Sequence, residues 1–298
     1  MFKFKNKDSR AVGHILAIFT IIVWGSTFIV TKLLLSEFTP VHIMLCRFVV
    51  AYVVLWIIRP KLEKTTLKDE LLFAVMGIFG CTLYFITENS ALEYTLASNV
   101  SIIVASSPII TAVLAHFFIK GEKMNKNIIL GFFVAFAGVI LVVVNGKFVL
   151  RLNPAGDALS LGAAVSWAVY SIILRSCVDR FDSVFLTRKL MFYGFVTALP
   201  IAIIEGERLP LEAFSSPDML FCILFLGVIG SGICYVTWNK AIARLGVVTT
   251  NNYIYINPFV TLVTGGIFLK EPITLMGIIG ALLIISGVVV SSKKTLND

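Results

Sequence analysis

"GHILAIFTIIVWGSTF", Gly13 to Phe28, returns in outline as "GDALSLGAAVSWAVYS", Gly156 to Ser171. Laid over each other, Gly13 meets Gly156, Leu16 meets Leu159 and Trp24 meets Trp167; beyond them Lys32 meets Arg175 and Phe38 meets Phe181. A slightly longer offset pairs Gly77 with Gly227, Gly80 with Gly230, Asn89 with Asn239, Ala91 with Ala241, Pro108 with Pro258, Thr111 with Thr261 and Lys120 with Lys270. Glu122 then meets Glu271, Gly131 meets Gly280 and Gly138 meets Gly287. Apolar segments share valines and leucines by chance, but ordered matches at Gly, Pro, Trp, Asn and Glu mark an internal duplication.

The repeated unit is apolar. Of 298 residues, 58% are hydrophobic and only 14% charged, and the mean hydropathy is +0.95. A soluble domain is about half apolar and about a quarter charged. The excess falls into ten runs, near 14–35, 41–58, 70–88, 96–119, 127–145, 156–175, 184–204, 217–238, 247–269 and 273–291, each of a length to cross a hydrocarbon layer as a helix. The chain reads as an all-α polytopic membrane protein of ten transmembrane helices. Its divisions are a tail (1–12), a first repeat (13–145), an extracytoplasmic linker (146–155), a second repeat (156–291) and a closing tail (292–298). The first apolar run is too long for a cleaved leader and lacks a small-residue cleavage site, so it reads as a retained helix.

The net charge of +8 reports topology rather than a nucleic-acid partner. With the N-terminus in the cytoplasm, most Lys and Arg residues fall on the inside, and only Lys32, Lys147, Arg151, Arg208 and Lys270 fall outside, with Arg47 inside a span. That is the positive-inside bias, and it places both termini in the cytoplasm. The five cysteines show neither a CxxC spacing nor a cluster, so no metal site and no disulfide framework are expected. No cofactor is expected either. Five spans per repeat is an odd number, so the second repeat enters the membrane from the opposite side. Inverted repeats are the architecture behind many secondary transporters, whose halves exchange conformations to open a cavity to each side in turn.

Polar groups converge near the matched prolines. An interior proline removes a backbone hydrogen bond and kinks a helix, and in lipid the freed carbonyl needs a partner in the protein or in a wet cavity. Pro108 and Pro258 are therefore hinge candidates. Ser101 and Ser107 precede the first; Asn251, Asn252, Tyr255 and Asn257, in "NNYIYINPFVT", surround the second. These residues either line a substrate cavity at the repeat interface or bond neighbouring helices as glue. Trp24 and Trp167, matched and mid-span, are either cavity wall or packing. Glu88, near the outer end of the third span, either carries a coupling proton or binds an amine, or else sits hydrated at the interface. Arg47 either holds a substrate carboxylate or snorkels to water. Lys32, Arg188 and Lys189 read as surface anchors. Small residues at Gly131, Ala135, Gly138, Gly277, Ala281 and Gly287 suit either an internal seam or a homodimer contact, leaving monomer and homodimer both open.

"ALEYTLASNVSIIVASSPIITAVLAHFFIKGE" (Ala91 to Glu122), "AIARLGVVTTNNYIYINPFVTLVTGGIFLKE" (Ala241 to Glu271) and "WGSTFIVTK" (Trp24 to Lys32), with Pro40 followed by Arg47, resemble the EamA family of the drug/metabolite transporter superfamily. The resemblance covers essentially the whole chain. It implies a bacterial inner-membrane carrier of small metabolites, amino acids first and mostly outward, with a cavity lined by the first four helices of each half and the fifth and tenth at the periphery. The chain departs from the family pattern in the polar "NNYIYINP" and in Leu190, where Arg47 would predict a basic residue.

The leading expectation is a secondary carrier working by alternating access on a small-molecule substrate. It has no GxxxxGK[ST] phosphate loop and hence no direct use of ATP; proton coupling is one source of drive. The alternative is a flippase or a membrane-embedded enzyme acting on a lipid-linked substrate, although no HExxH, paired acids or cysteine–histidine pair supports chemistry.

Overall fold

In a computed structural model, residues 7–95, 97–122, 124–144, 153–206, 208–268 and 274–292 are described. Most of the linker over 146–155, most of the closing tail over 292–298, residues 1–6 of the N-terminal tail, and the matched residues Lys270 and Glu271 lie outside them.

The first half holds α1 (Lys7–Leu34), α2 (Pro40–Ile58), α3 (Leu67–Gly77), α4 (Tyr84–Tyr94), α5 (Ala97–Val104), α6 (Ser107–Phe118) and α7 (Lys126–Val144). The second repeats the order as α8 (Pro154–Cys177), α9 (Ser183–Glu205), α10 (Pro217–Leu224), α11 (Cys234–Leu245), α12 (Val247–Asn251), α13 (Asn257–Phe268) and α14 (Leu275–Ser292). Among the described residues seven helices are long and apolar enough to cross a membrane, and two shorter apolar ones lie within α7 and α14. Leu, Ile, Val and Phe cover the outside, among them Ile57, Phe117, Phe118, Ile203 and Ile204, while Arg47, Glu88 and several asparagines are buried. That is the reverse of a soluble protein's surface.

Local chemistry starts and stops the helices. Thr39 accepts a hydrogen bond from the His42 N–H ahead of Pro40 at the first turn of α2; Thr66 and Asp69 form a reciprocal capping box on α3; Asn153 caps α8 and Asp182 caps α9. Each satisfies N–H groups that the first turn cannot bond internally.

Two irregularities recur at matched positions. A π-helical turn, Ile78–Leu83, joins α3 to α4, and another, Phe225–Ile233, joins α10 to α11. The proline segments break rather than merely kink. Chain restarts at Ser107–Pro108 after a turn at 105–106, while a 3-10 stretch, Asn252–Ile256, separates α12 from α13 at Asn257–Pro258.

Contacts between the halves are reciprocal. Helix α1 lies against α11 and α13, as α8 lies against α4 and α6; α2 meets α9, and α7 meets α14. The last seam is close-packed at the backbone. A Cβ on Gly287 would sit 2.4 Å from the Ala135 backbone nitrogen, and one on Gly131 would sit 2.6 Å from the Gly287 carbonyl. Gly131, Ala135, Gly138 and Gly287 are therefore packed against the partner helix inside one chain.

Candidate functional site

Each π-helical turn packs against helices of the opposite half, Ile78–Leu83 against α8 and α9 and Phe225–Ile233 against α1 and α2. A π turn leaves a carbonyl without its i+4 donor, and each freed carbonyl is taken by an aromatic side chain of the other half. Trp24 Nε1 donates to Gly230 O at 2.9 Å, and Tyr235 OH donates to Gly80 O at 3.0 Å. Ser166 Oγ adds a bond to Phe79 O at 2.9 Å. These bonds fix an aromatic nest in which Trp24 meets Trp167 at 5.1 Å, Tyr235 at 5.4 Å and Trp238 at 5.0 Å between ring centroids.

Beside the nest lies a narrow chamber of about 20 Å³. Trp24, Thr27 and Phe28 of α1 line one side and Tyr84, Phe85 and Glu88 of α4 another, closed by Arg47, Trp167, Tyr235 and Asn257. Arg47 is 2% exposed and Glu88 8%, so Arg47 does not snorkel and Glu88 is not a hydrated interface residue. The reason is position: both stand on helix faces turned toward the opposite half, not toward lipid or loop. Arg47 Nε donates to Ser231 Oγ at 2.8 Å, and its guanidinium lies 4.0 Å from the centroid of the Phe85 ring, a cation–π contact. Glu88 Oε1 accepts a bond from Tyr84 OH at 2.7 Å. Among the described residues Arg47 has no ion-pair partner. A buried cation and a buried acid thus share one chamber without neutralising each other directly, which is costly unless a ligand completes them.

The expected cavity residues separate into four groups. Trp24, Trp167 and Asn257 are on the wall, and Asn257 Oδ1 is buried with no hydrogen bond. Asn251 stands behind the wall: its Oδ1 accepts from Trp167 Nε1 at 2.8 Å and Ser171 Oγ at 3.4 Å, while its Nδ2 donates to Val247 O at 2.9 Å. It orients the indole. Asn252 and Tyr255 are corrections to the sequence reading, since neither reaches the chamber. A 3-10 stretch has three residues per turn, so positions three apart point the same way, and here they point to the peripheral pair. Asn252 Nδ2 donates to Ser291 Oγ of α14 at 2.9 Å, and Tyr255 meets Phe132 of α7 at 6.4 Å between ring centroids. Ser101 and Ser107 are buried but not on the chamber wall.

Two expected anchors also change role. Arg188 is buried, donates to the carbonyls of Arg59 at 2.7 Å and Lys61 at 2.5 Å, and stacks 3.9 Å over Trp56. Lys189 Nζ donates to Glu70 Oε1 at 2.6 Å. Both tie α9 to the 59–70 stretch of the first half. Lys32 Nζ donates to Leu92 O at 2.6 Å.

Tyr84, Phe85, Tyr235 and Ser231 were not singled out by sequence. The signal was present: Tyr84 stands four residues before Glu88, one helical turn away on the same face, and Phe85 and Tyr235 are matched across the duplication.

The EamA-like transporter family matches residues 11–144 and again 154–293. An uncharacterized transporter of Archaeoglobus fulgidus is 28% identical over 286 residues, covering 94% of this chain and 97% of its own. The uncharacterized transporter YyaM of Bacillus subtilis is 28% identical over 280 residues, with 90% and 89% covered. A probable terminal-alkyne amino-acid exporter of Streptantibioticus cattleyicolor is 28% identical over 295 residues, with 97% and 96% covered. One solved crystal structure superposes with a TM-score of 0.76 at 17% identity, covering 95% of this chain and 98% of its own; at that identity it speaks for the fold alone.

Proposed function

This chain belongs to the EamA-like transporter family, two copies of which it carries, and from that premise we propose that it is a secondary carrier of small zwitterionic metabolites, amino acids first, working outward across a bacterial inner membrane. It is a multi-pass membrane transporter, not an enzyme. In the proposed arrangement ten crossings form two inverted five-helix repeats, both termini are cytoplasmic, and the chamber opens to each side in turn.

The observation that carries the substrate class is the buried Arg47 guanidinium, without an ion-pair partner among the described residues, in one chamber with Glu88. A guanidinium offers a planar fork of N–H donors that matches a carboxylate, and a carboxylate suits an ammonium. One α-amino acid supplies both. The ring faces of Trp24, Trp167, Tyr84 and Tyr235 then contact an apolar side chain. The exporter among the relatives is named for an amino acid, which agrees with this class. Glu88 also serves, in this reading, as the site of proton exchange, releasing an ammonium when it takes up a proton.

A second reading, movement of a lipid-linked molecule, has one observation in its favour. An apolar groove of about 500 Å³ runs between α2, α9 and α10, lined by Leu45, Val49, Phe195, Leu220, Ile223 and Leu224.

Proteoliposomes loaded with equimolar amino acids, purine nucleosides, sugar phosphates and organic cations, with and without a pH gradient, separate the two. Selective loss of amino acids supports the zwitterion chamber, and gradient-dependent loss supports proton exchange. Retention of every solute by a folded protein would move the lipid-linked reading ahead.

A further inference from the structure

Glu122 follows α6 in the first half, yet its carboxylate serves the second. Oε1 accepts the Val247 N–H and Oε2 the Val248 N–H, each at 2.9 Å. Arg175 Nε, from the last turn of α8, lies 3.7 Å from Oε1. The bonds form where Gly246 turns the chain at φ +87° between α11 and α12. A Cβ there would sit 2.9 Å from Glu122 Oε1, so both the positive φ and the close carboxylate favour glycine.

The grip is placed to matter at a distance. Val247 opens the segment that runs through Asn251, which holds the Trp167 indole, to Asn257 on the chamber wall. Further links on the basic connections cross between the halves: Arg59 with Asp182, Asp69 with Arg180, and Lys189 with Glu70. For the chamber to open at the basic end, the connections after α2, α6, α8 and α11 must part. Unlike the deeply buried Arg188, the Glu122 side chain is 17% exposed, so water can replace its partners as they separate. Two N–H groups held by the two oxygens of one carboxylate form a directional, charge-assisted grip that is either made or lost.

We infer that Glu122 is a conformational latch: its carboxylate holds the basic end shut, and its release accompanies opening of the chamber to that side. The inference rests on the alternating-access reading above and adds the group that biases it.

The test places a reporter on the chamber wall, Thr27→Cys, in a chain whose five native cysteines are replaced by serine or alanine. A membrane-impermeant maleimide is applied to vesicles of either orientation. With Glu122→Gln, labelling through the basic end should rise roughly tenfold, on the scale of one charge-assisted hydrogen bond, and labelling from the other face should fall. Gly246→Ala should act in the same direction. Unchanged rates in a folded Glu122→Gln chain, or an equal rise from both faces, would reduce Glu122 to a fold-stabilising cap. Should Glu122→Gln fail to fold, Arg175→Gln leaves both backbone bonds in place and should shift labelling the same way by less; no shift there would also overturn the latch. The readout needs no substrate, so it is independent of which solute is carried. If Thr27→Cys is reached from only one face in every variant while solute still crosses, alternating opening fails, and the latch with it.

Discussion

Arg47 and Glu88 stand in the first half; the positions matched to them in the second are Leu190 and Trp238. All four are buried. The duplicated frame therefore carries an unequal load: the first half supplies the charges of the chamber, and the second supplies Asn257, the Asn251 bond that steadies Trp167, and Trp238 against Trp24. The features that build the frame stayed alike. Both halves keep a π-helical turn whose carbonyl is claimed from across the interface, and both break at a proline. Exchange of conformations between halves requires similar frames, whereas recognition of one asymmetric solute does not require similar linings.

The sharpest way to break this comparison is Arg47→Gln. If the first half alone supplies the cation, transport of a zwitterion should fall by about two orders of magnitude or more, the scale of truncating a buried charge pair. A loss below threefold in proteoliposomes would mean that the second half shares the task. Gly287→Leu tests the frame instead. Overpacking the α7–α14 seam should lower stability by about 1–3 kcal/mol, seen as earlier thermal unfolding in detergent; an unchanged transition would show that the seam yields.

Glu88→Gln should weaken transport of zwitterions by about tenfold, the worth of one hydrogen bond to a charged group. It should spare an analogue that keeps the carboxylate and lacks the ammonium. Equal loss for both solutes would remove Glu88 from amine recognition. Two second-half variants carry the smallest effects. Asn251→Ala frees the Trp167 indole and should slow transport about fivefold, the scale of one neutral hydrogen bond. Tyr255→Phe should leave the transport rate unchanged, because that ring faces α7; a marked loss would return Tyr255 to the cavity.

Much of this was legible in the sequence. Duplication, apolar spans and the prolines are patterns of residue type along the chain; the matched glycines Gly77, Gly80, Gly227 and Gly230 lie in or beside the π-helical turns, but no pattern announced the change of helix type. Arg47, Glu88, Trp24, Trp167 and Asn257 could be named because polar or bulky residues mid-span are costly and need a reason. Asn252 and Tyr255 could not be separated from Asn251 and Asn257 by composition, since a switch from 3.6 to three residues per turn decides which way each points.

What the sequence by itself determined is the frame: apolar lengths set by the hydrocarbon thickness, a repeated order of glycines and prolines, and a basic bias of one set of connections. Only the tertiary structure decided which polar groups meet. Whether Arg47 faces lipid, Glu88 or Phe85, and whether Glu122 caps its own half or the other, depends on the rotation and depth of helices packed against partners far along the chain. Those are set by close packing and by the need of every buried N–H and carbonyl for a partner, and no local pattern records them.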